Sequence, residues 1–205
     1  MNIQHLLDES SRDHSHLCPR QILGVRMGLC GLDALNLKPN CSNKRLLIIV
    51  EMDGCFVDGI NAATSCTIGH RTLSVEDYGK AAATFIDTQT NHALRIAPAL
   101  DIRQRAYTYA PKEMHHYFAQ MQSYQVMPDE EMFTLQEVTI NVSIVQILSR
   151  PGVRVNCAVC GEEIMNEREV RQNGLTLCRA CAGNSYYRVP VCIATYEMET
   201  QVIIV

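Results

Sequence analysis

The sequence predicts an α+β fold, in which a mixed or antiparallel sheet packs against helices and a small zinc-binding finger follows at the C-terminus. Helical patterns alternate with short apolar runs of strand length through the first 150 residues. Beyond them, two cysteine pairs lie between residues 157 and 181. The 205 residues accommodate one medium domain and one small one. Pro151-Gly152 marks the boundary, so we expect domains at 1–150 and 151–205.

The first elements follow from helix signals and one apolar run. Ile3, Leu6 and Leu7 share one face of a helix over residues 3–12. Pro19 suits the first position of a second helix, which places Cys18 at or beside its N-cap. The uninterrupted apolar run over residues 46–50 indicates a buried strand, and Asp58 is placed to cap a short helix after it.

The later elements alternate in the same way. Helices are predicted near 99–106 and 112–125, and strands over 82–87 and 93–97. Residues 133–140 and 142–148 are predicted to form two further strands or one long bent strand. In the second helix, Gly24, Gly28 and Gly31 form one stripe. Because each glycine costs a helix roughly 1 kcal/mol relative to alanine, the stripe indicates close approach by a strand, another helix or a ligand. Of these, tight packing is favoured.

Composition excludes several classes of protein. With 22 acidic against 18 basic residues, the net charge is −4, which argues against broad nucleic-acid binding. No apolar run is long enough for a membrane span, and the N-terminus lacks the pattern of a signal peptide. We therefore expect a cytoplasmic protein. Ten cysteines in such a compartment serve metals, catalysis or packing more often than disulfides.

Four of the cysteines have the spacing of a structural zinc site. Cys157 and Cys160 form one C-x2-C pair, and Cys178 and Cys181 form a second pair after seventeen residues. Two such pairs can direct four sulfurs toward one Zn2+ ion at about 2.3 Å. The segment between them predicts a hairpin turning at Asn173-Gly174, and a short helix is expected after the second pair. This order is typical of a treble-clef or ribbon finger.

A second group of metal-binding residue types lies near the N-terminus. His14, His16 and Cys18 alternate by two, so they would face one side of an extended segment. Cys55 follows the buried strand, where ligands gather in such folds. His16, Cys18 and Cys55 could supply three ligands and leave a fourth position open, as in a catalytic metal site that holds Zn2+ or another ion.

The same residues fit two further interpretations. Cys18 could form a redox pair with Cys55 or Cys66, and free cysteines are often simply buried. Packing accounts for the three remaining thiols, which are Cys30, Cys41 and Cys192. Arg103 and Arg105 are predicted to be solvated, and His115-His116 to be an exposed or packing pair.

An ordered set of motifs resembles the family of the E subunit of formylmethanofuran dehydrogenase. The motifs are His14-Ser-His16-Leu-Cys18-Pro19, Leu23-Gly24-Val25-Arg26-Met27, Glu51-Met-Asp53-Gly-Cys55-Phe-Val-Asp58-Gly-Ile60, Thr64-Ser-Cys66-Thr67-Ile-Gly69 and Asp77-Tyr78-Gly79-Lys80. The resemblance covers roughly residues 10–150, and some family members also carry a C-terminal cysteine-rich finger. It implies an α+β domain with a metal or active site.

Carried over by motif, the resemblance implies a set of site residues. Those with catalytic roles are His16, Cys18, Cys55, Asp58 and Lys80, and those that contact a cofactor are His14 and Cys66. The sequence departs from the family pattern at Ser15, Ser65 and His70. The redox centres of formylmethanofuran dehydrogenase reside on its other chains, so the family name alone does not assign that reaction to this chain.

Three functional hypotheses follow. The first is an accessory, carrier or assembly protein for a molybdenum or tungsten enzyme, with a metal or ligand site at His16, Cys18 and Cys55. The second is an independent enzyme that uses an open metal site or the thiols. The third is a zinc-finger regulatory protein, which the balanced charge of the finger disfavours. The apolar tail over residues 202–205 suggests strand addition to a partner, and a homodimer is the expected assembly.

Overall fold

A computed structural model describes residues 2–39, 43–149 and 152–188 of the chain. It divides into two compact units, Met1–Leu148 and Ser149–Val205. Two of the thiols assigned to packing, Cys41 and Cys192, lie outside the described residues, as does the apolar tail. No helix in the described part is both long and apolar enough to span a bilayer.

The first unit is built on a five-stranded mixed sheet of order β2-β1-β3-β4-β5. Its strands are β1 (Leu46–Val50), β2 (Leu73–Val75), β3 (Ala83–Asp87), β4 (His92–Pro98) and β5 (Phe133–Glu137). β1 and β2 pair in parallel, and the other neighbours are antiparallel. The expected α+β architecture is therefore confirmed, and its sheet is mixed.

Helices cover this sheet because its strand β1 is apolar on both faces. They are α1 (Ile3–Ser11), α2 (Pro19–Ala34), α3 (Cys55–Thr64), α4 (Ile102–Tyr109), α5 (His116–Ser123), α6 (Asp129–Met132) and α7 (Ile144–Leu148). Ile48 and Val50 of β1 belong to the main core, which includes buried residues of α1, α2 and α3. Leu47 and Ile49 belong to a smaller core that residues of α7 cover. Their alternation follows the period of two of a strand.

Close packing against glycines joins α2 to its neighbours. A Cβ atom added to Gly24 would overlap the carbonyl oxygen of Phe56 in α3, and one on Gly28 would lie 2.7 Å from the Ala63 Cβ. A Cβ on Gly31 would overlap the ring of Phe85 in β3. The predicted close approach is confirmed, and the partners are a helix and a strand.

Two predicted elements differ from the structure. The pattern of residues 142–148 predicts a strand, but α7 occupies Ile144–Leu148. Ile144, Ile147 and Leu148 pack on the sheet at helical spacing, while the Ser143 hydroxyl accepts a hydrogen bond from the Gln146 N–H at 3.2 Å. In addition, α3 begins at Cys55 with Gly54 at its N-cap (φ +71°), so Asp58 lies within the first turn instead of capping it.

The second unit contains two short antiparallel hairpins. β6 (Arg154–Asn156) pairs with β7 (Glu163–Met165), and β8 (Val170–Gln172) pairs with β9 (Leu175–Leu177). The predicted turn at Asn173-Gly174 is confirmed, since both residues have positive φ angles of 52° and 77°, as a type I′ turn requires. The short helix expected after the second cysteine pair is absent from residues 180–188, which form turns and bends.

Candidate metal and ligand sites

The four cysteines of the second unit converge on one point. Their sulfur atoms all lie within 4.8 Å of one another. The sulfurs of Cys160 and Cys178 are 3.9 Å apart. Four sulfurs at about 2.3 Å from one zinc ion in a tetrahedron would be about 3.8 Å apart, so the cluster fits such an ion. In the described part of the chain, this is the one group of three or more metal-binding side chains so closely gathered.

Backbone groups around the cluster favour the thiolate form of cysteine. The N–H of Cys178 donates to the Cys157 sulfur at 3.3 Å, and the N–H of Cys181 donates to the Cys178 sulfur at 3.4 Å. Backbone N–H groups, that of Cys160 first among them, lower the pKa of Cys157 to about 6. The pKa of Cys181 is raised to about 12, first by its hydrogen bond with the Cys178 thiol, and the pKa of Cys160 is also raised. A bound cation would favour the thiolate form of all four cysteines, because the thiolate is the form that binds metal.

The first unit brings two cysteines together from separate elements. Cys18 is the N-cap of α2 and Cys55 is the first residue of α3, and the two thiols lie beside each other. Gln21 fixes this arrangement, since its side-chain oxygen accepts from the Cys18 N–H at 2.7 Å. The side-chain NH₂ of Gln21 donates to the Ser10 carbonyl at 2.8 Å, which ties the end of α1 to the start of α2.

Burial and neighbouring charge alter the pKa of Cys55 and of the nearby Tyr117. Desolvation raises the pKa of Cys55, and the hydrogen bond with Cys18 raises it further. Tyr117 of α5 lies beside both thiols. Desolvation also raises its pKa, and the charges of Cys18 and Cys55 act in the same direction. The Tyr117 hydroxyl donates to the Leu17 carbonyl at 3.3 Å, so α5 is held against the segment that carries Cys18.

A cavity of about 520 Å³ opens beside Cys18. Residues at the start of α2 and on α4 and α5 line it: Cys18, Pro19, Arg20, Arg103, Gln104, Tyr107, His116, Tyr117 and Gln120. This volume lies within the range of small-molecule sites. The lining therefore combines a thiol with aromatic, amide and cationic groups.

The two predicted histidines have separate partners. The Nε2 atom of His14 lies 2.9 Å from the Asp58 carboxylate, so these residues are brought together. The Nδ1 atom of His16 lies 2.9 Å from the Ser15 hydroxyl, and the side chain of His16 is exposed. His16 is not gathered with Cys18 and Cys55 into a compact ligand group of the kind that the four cysteines form.

Two more of the predicted site residues lie elsewhere in the unit. Cys66 is buried in the core, and its thiol donates to the Leu46 carbonyl at 3.8 Å. Lys80 is exposed, and its ammonium group lies 6.0 Å from the centre of the Tyr78 ring. Neither residue lines the cavity beside Cys18.

The cavity includes residues that the sequence does not indicate as functional. Arg103 and His116 are exposed, as predicted, and both also line the cavity. Helical spacing alone indicates which of these residues share a helix face. Arg103 and Tyr107 on α4 are four residues apart, as are His116 and Gln120 on α5. Each pair marks one helix face, but only the packing of α4 beside α5 shows that the faces line one cavity.

Two family models match the chain, one for each region. The model described as "FmdE, Molybdenum formylmethanofuran dehydrogenase operon" matches residues 14–151. The model described as "Prokaryotic dksA/traR C4-type zinc finger" matches residues 151–187. The first match covers more than half of the chain, and the second contains all four clustered cysteines.

Individual proteins show the same relationship. A "Probable S-adenosyl-L-methionine-binding protein" of Archaeoglobus fulgidus is 29% identical over 209 aligned residues. The alignment covers 91% of this chain but only 55% of that relative, so the chain spans about half of its length. The crystal structure of a tungsten formylmethanofuran dehydrogenase FmdE-like protein from Syntrophus aciditrophicus superposes with a TM-score of 0.59 and 19% identity. It covers 92% of this chain and 96% of its own, and it shows that the fold is shared.

Proposed function

Because the chain belongs to the FmdE family, we propose that it is an accessory or carrier protein for a molybdenum or tungsten enzyme. In this proposal the first unit binds a metal, or a metal-bearing cofactor, beside Cys18 and Cys55. The observation that carries it is that these two thiols lie beside each other and that one of them lines a cavity large enough for a cofactor. Soft sulfur ligands suit such metals. The enzyme partner follows from the family alone.

The two helix N-termini explain why a metal would be held here. Cys18 precedes α2 and Cys55 begins α3, so both sulfurs lie at helix N-termini, where the partial positive charge of the helix favours anionic metal ligands and works against the desolvation that raises the pKa of Cys55. A bound cation would add to that effect and release the proton that Cys55 retains. His16, two residues before Cys18, is the third ligand in this proposal. It would exchange its contact with Ser15 for the metal.

Asp58 and His14 position the segment that carries the proposed ligands. Asp58 lies one helical turn after Cys55 on the same face of α3, and its carboxylate contacts His14. This contact anchors the segment that carries His16 and Cys18 against α3. We assign the two residues a positioning role and leave the metal to the sulfur atoms and His16.

The four-cysteine finger has a separate role in the proposal. We assign it one zinc ion that stabilises the second unit and takes no part in catalysis. Support comes from the sulfur geometry and from the match to a C4-type zinc-finger model. All four positions of a tetrahedral ion are filled by cysteine, so no position is left for substrate.

Metal analysis of the full chain tests the proposal. We would produce the protein with molybdate, tungstate and zinc supplied, and then measure all three metals in wild type and in the double variant Cys18→Ser/Cys55→Ser. Cys30→Ala, which removes another thiol of the first unit, is the matched control. The proposal expects molybdenum or tungsten in addition to the zinc of the finger, and its loss only in the double variant.

Three different results, from metal analysis together with a test for disulfide formation, would contradict the proposal. A second zinc ion lost in the double variant favours an independent metalloenzyme, because an open zinc site can activate water. No second metal, with reversible formation of a Cys18–Cys55 disulfide, favours a thiol-dependent enzyme. Metal content that is unchanged by the double substitution removes the site altogether.

Binding of S-adenosyl-L-methionine is the second candidate function. The name of the Archaeoglobus relative suggests it, and the cavity beside Cys18 offers tyrosine rings and glutamine amides for an adenine base. Calorimetric titration of the wild type with S-adenosyl-L-methionine tests it, with Tyr107→Ala as the variant expected to weaken binding. Absence of heat at millimolar ligand would exclude this candidate.

A further inference from the structure

The cavity beside Cys18 is cationic in a chain that is acidic overall. Among the residues that the structure describes, its lining includes the guanidinium groups of Arg20 and Arg103 and the ring of His116, but no aspartate or glutamate. The net charge of the protein is −4, so the charge of this lining is opposite in sign to that of the protein as a whole. A local excess of positive charge in a concave site attracts anions and concentrates them.

The two arginines of the cavity also lack partners in the described part of the chain. Neither Arg20 nor Arg103 forms an ion pair or a side-chain hydrogen bond with any residue that the structure describes. Arg105, by contrast, forms ion pairs. Arg105, on the same helix as Arg103, contacts Asp101 at 2.8 Å and Glu131 at 3.9 Å. The donor groups of Arg20 and Arg103 are therefore open to a ligand.

The backbone adds to this positive field. Arg20 is the second residue of α2, a helix of 16 residues whose N-terminal end faces the cavity. The partial positive charge of that end reinforces the guanidinium group. Arg103 approaches from α4, so the two cations belong to different elements that line one space.

We propose that this cavity binds a phosphorylated small molecule, whose phosphate group is held by Arg20 and Arg103. Phosphate carries up to two negative charges and several acceptor oxygens, which match two guanidinium forks. The rings of Tyr107 and Tyr117 then suit a planar heterocycle, and the amides of Gln104 and Gln120 suit its edge. A cavity of about 520 Å³ accommodates a molecule of mononucleotide size. The inference deepens the proposed function, and it rests on that function in placing the ligand beside Cys18.

Calorimetry with matched probes tests this inference. AMP and adenosine share a ring and differ in the phosphate, pyrophosphate carries charge without a ring, and malonate carries carboxylates instead. At low ionic strength we expect AMP and pyrophosphate to bind, and adenosine and malonate to bind at least about tenfold more weakly. Arg20→Gln and Arg103→Gln should each lower the affinity for AMP by about tenfold or more. The control Arg105→Gln should change it less than about twofold.

Several outcomes would overturn the inference. Absence of binding by both AMP and pyrophosphate at millimolar concentration is one, and equal affinity of Arg105→Gln and Arg103→Gln is another. If malonate binds as tightly as pyrophosphate, the arginines do not distinguish phosphate from carboxylate ligands, which contradicts the proposal of a phosphate site. The metal analysis is independent, because Arg103→Gln leaves every proposed ligand intact. If the wild type holds a second metal but binds neither AMP nor pyrophosphate, only this inference is overturned. If it binds them but holds no second metal, only the metal site is overturned.

Discussion

Gly24 of α2 and Gly59 of α3 lie against each other where the two helices cross, and neither position has room for a side chain. A Cβ atom on Gly59 would lie 2.7 Å from the backbone nitrogen of Val25, and one on Gly24 would lie 3.1 Å from the Gly59 Cα. The crossing lies within about two helical turns of both Cys18 and Cys55. The backbone contact therefore sets the distance between the two thiols.

Replacing Gly59 with alanine should destabilise the first unit. The new methyl group would meet backbone atoms of α2, which cannot rotate away as a side chain can, so the helices must separate at a cost of about 1 to 3 kcal/mol. Urea unfolding followed by circular dichroism measures this. Gly69→Ala is the control, because its nearest neighbour would be the Thr67 hydroxyl at 3.9 Å. Equal stability of the two variants would contradict the packing of this crossing.

The sequence correctly predicts those features for which the residue types allow a single structural interpretation. The glycine stripe of α2, the strand Leu46–Val50 and the turn at Asn173-Gly174 all appear as predicted. The apolar run at residues 142–148 is ambiguous because β-branched residues fit a strand, whereas contact with the sheet selects a helix there. Local pattern alone does not resolve such a choice.

The cavity beside Cys18 needed tertiary information. Arg103 and Arg105 are two residues apart and alike in sequence, yet one lines the cavity and the other pairs with an acidic side chain. Asp101, four residues before Arg105, is a local sign of that pairing. The packing of α4 beside α5 and the start of α2 is not readable from the sequence, since it depends on contacts between residues far apart in the chain.

Removal of metal from the finger should unfold the second unit and leave the first intact. Within residues 152–188, the core of the finger contains three buried apolar side chains, Cys157, Ile164 and Leu177, so metal ligation is expected to supply most of its stability. Cys178→Ser is expected to lower zinc by about one equivalent per chain. Hydrogen exchange should then show loss of protection over residues 154–177, with protection kept in β1 and β3. Protection that persists in the finger would show that it folds without metal.

A partly buried ion pair next to the start of α3 should be needed for stability. The Arg95 guanidinium donates to both carboxylate oxygens of Glu51, at 2.6 and 2.7 Å, and Glu51 is 7% exposed. Glu51→Ala leaves the arginine charge without its partner, but water still reaches Arg95, so the free energy of unfolding should fall by about 1.5 to 3 kcal/mol. Asp101→Ala, which removes an exposed partner of Arg105, is the control and should have little effect. Thermal unfolding of both variants measures the difference.

Acid stability should depend on Asp87. Its side chain is almost fully buried at the end of β3, where Arg45 donates to both of its carboxylate oxygens at 3.1 and 2.9 Å. The hydrogen bonds from Arg45 and, to a lesser degree, from the Gln89 N–H lower the pKa of Asp87 from 3.8 to about 2. A carboxyl group with a lowered pKa binds its proton more weakly in the folded state than in the unfolded state. Its contribution is therefore complete above about pH 4 and is lost as the pH falls toward about 2.

Asp87→Asn should remove that part of the acid dependence. In urea unfolding at about pH 7 the variant should be less stable than wild type, because the Arg45 ion pair is lost. The difference should shrink as the pH falls from about 4 to about 2, the range between the two pKa values of Asp87. The loss extends below the ordinary range of an aspartate because the folded protein keeps this carboxylate charged until about pH 2. A difference in stability that stays constant across this whole range would show that Asp87 acts through packing and not through its charge.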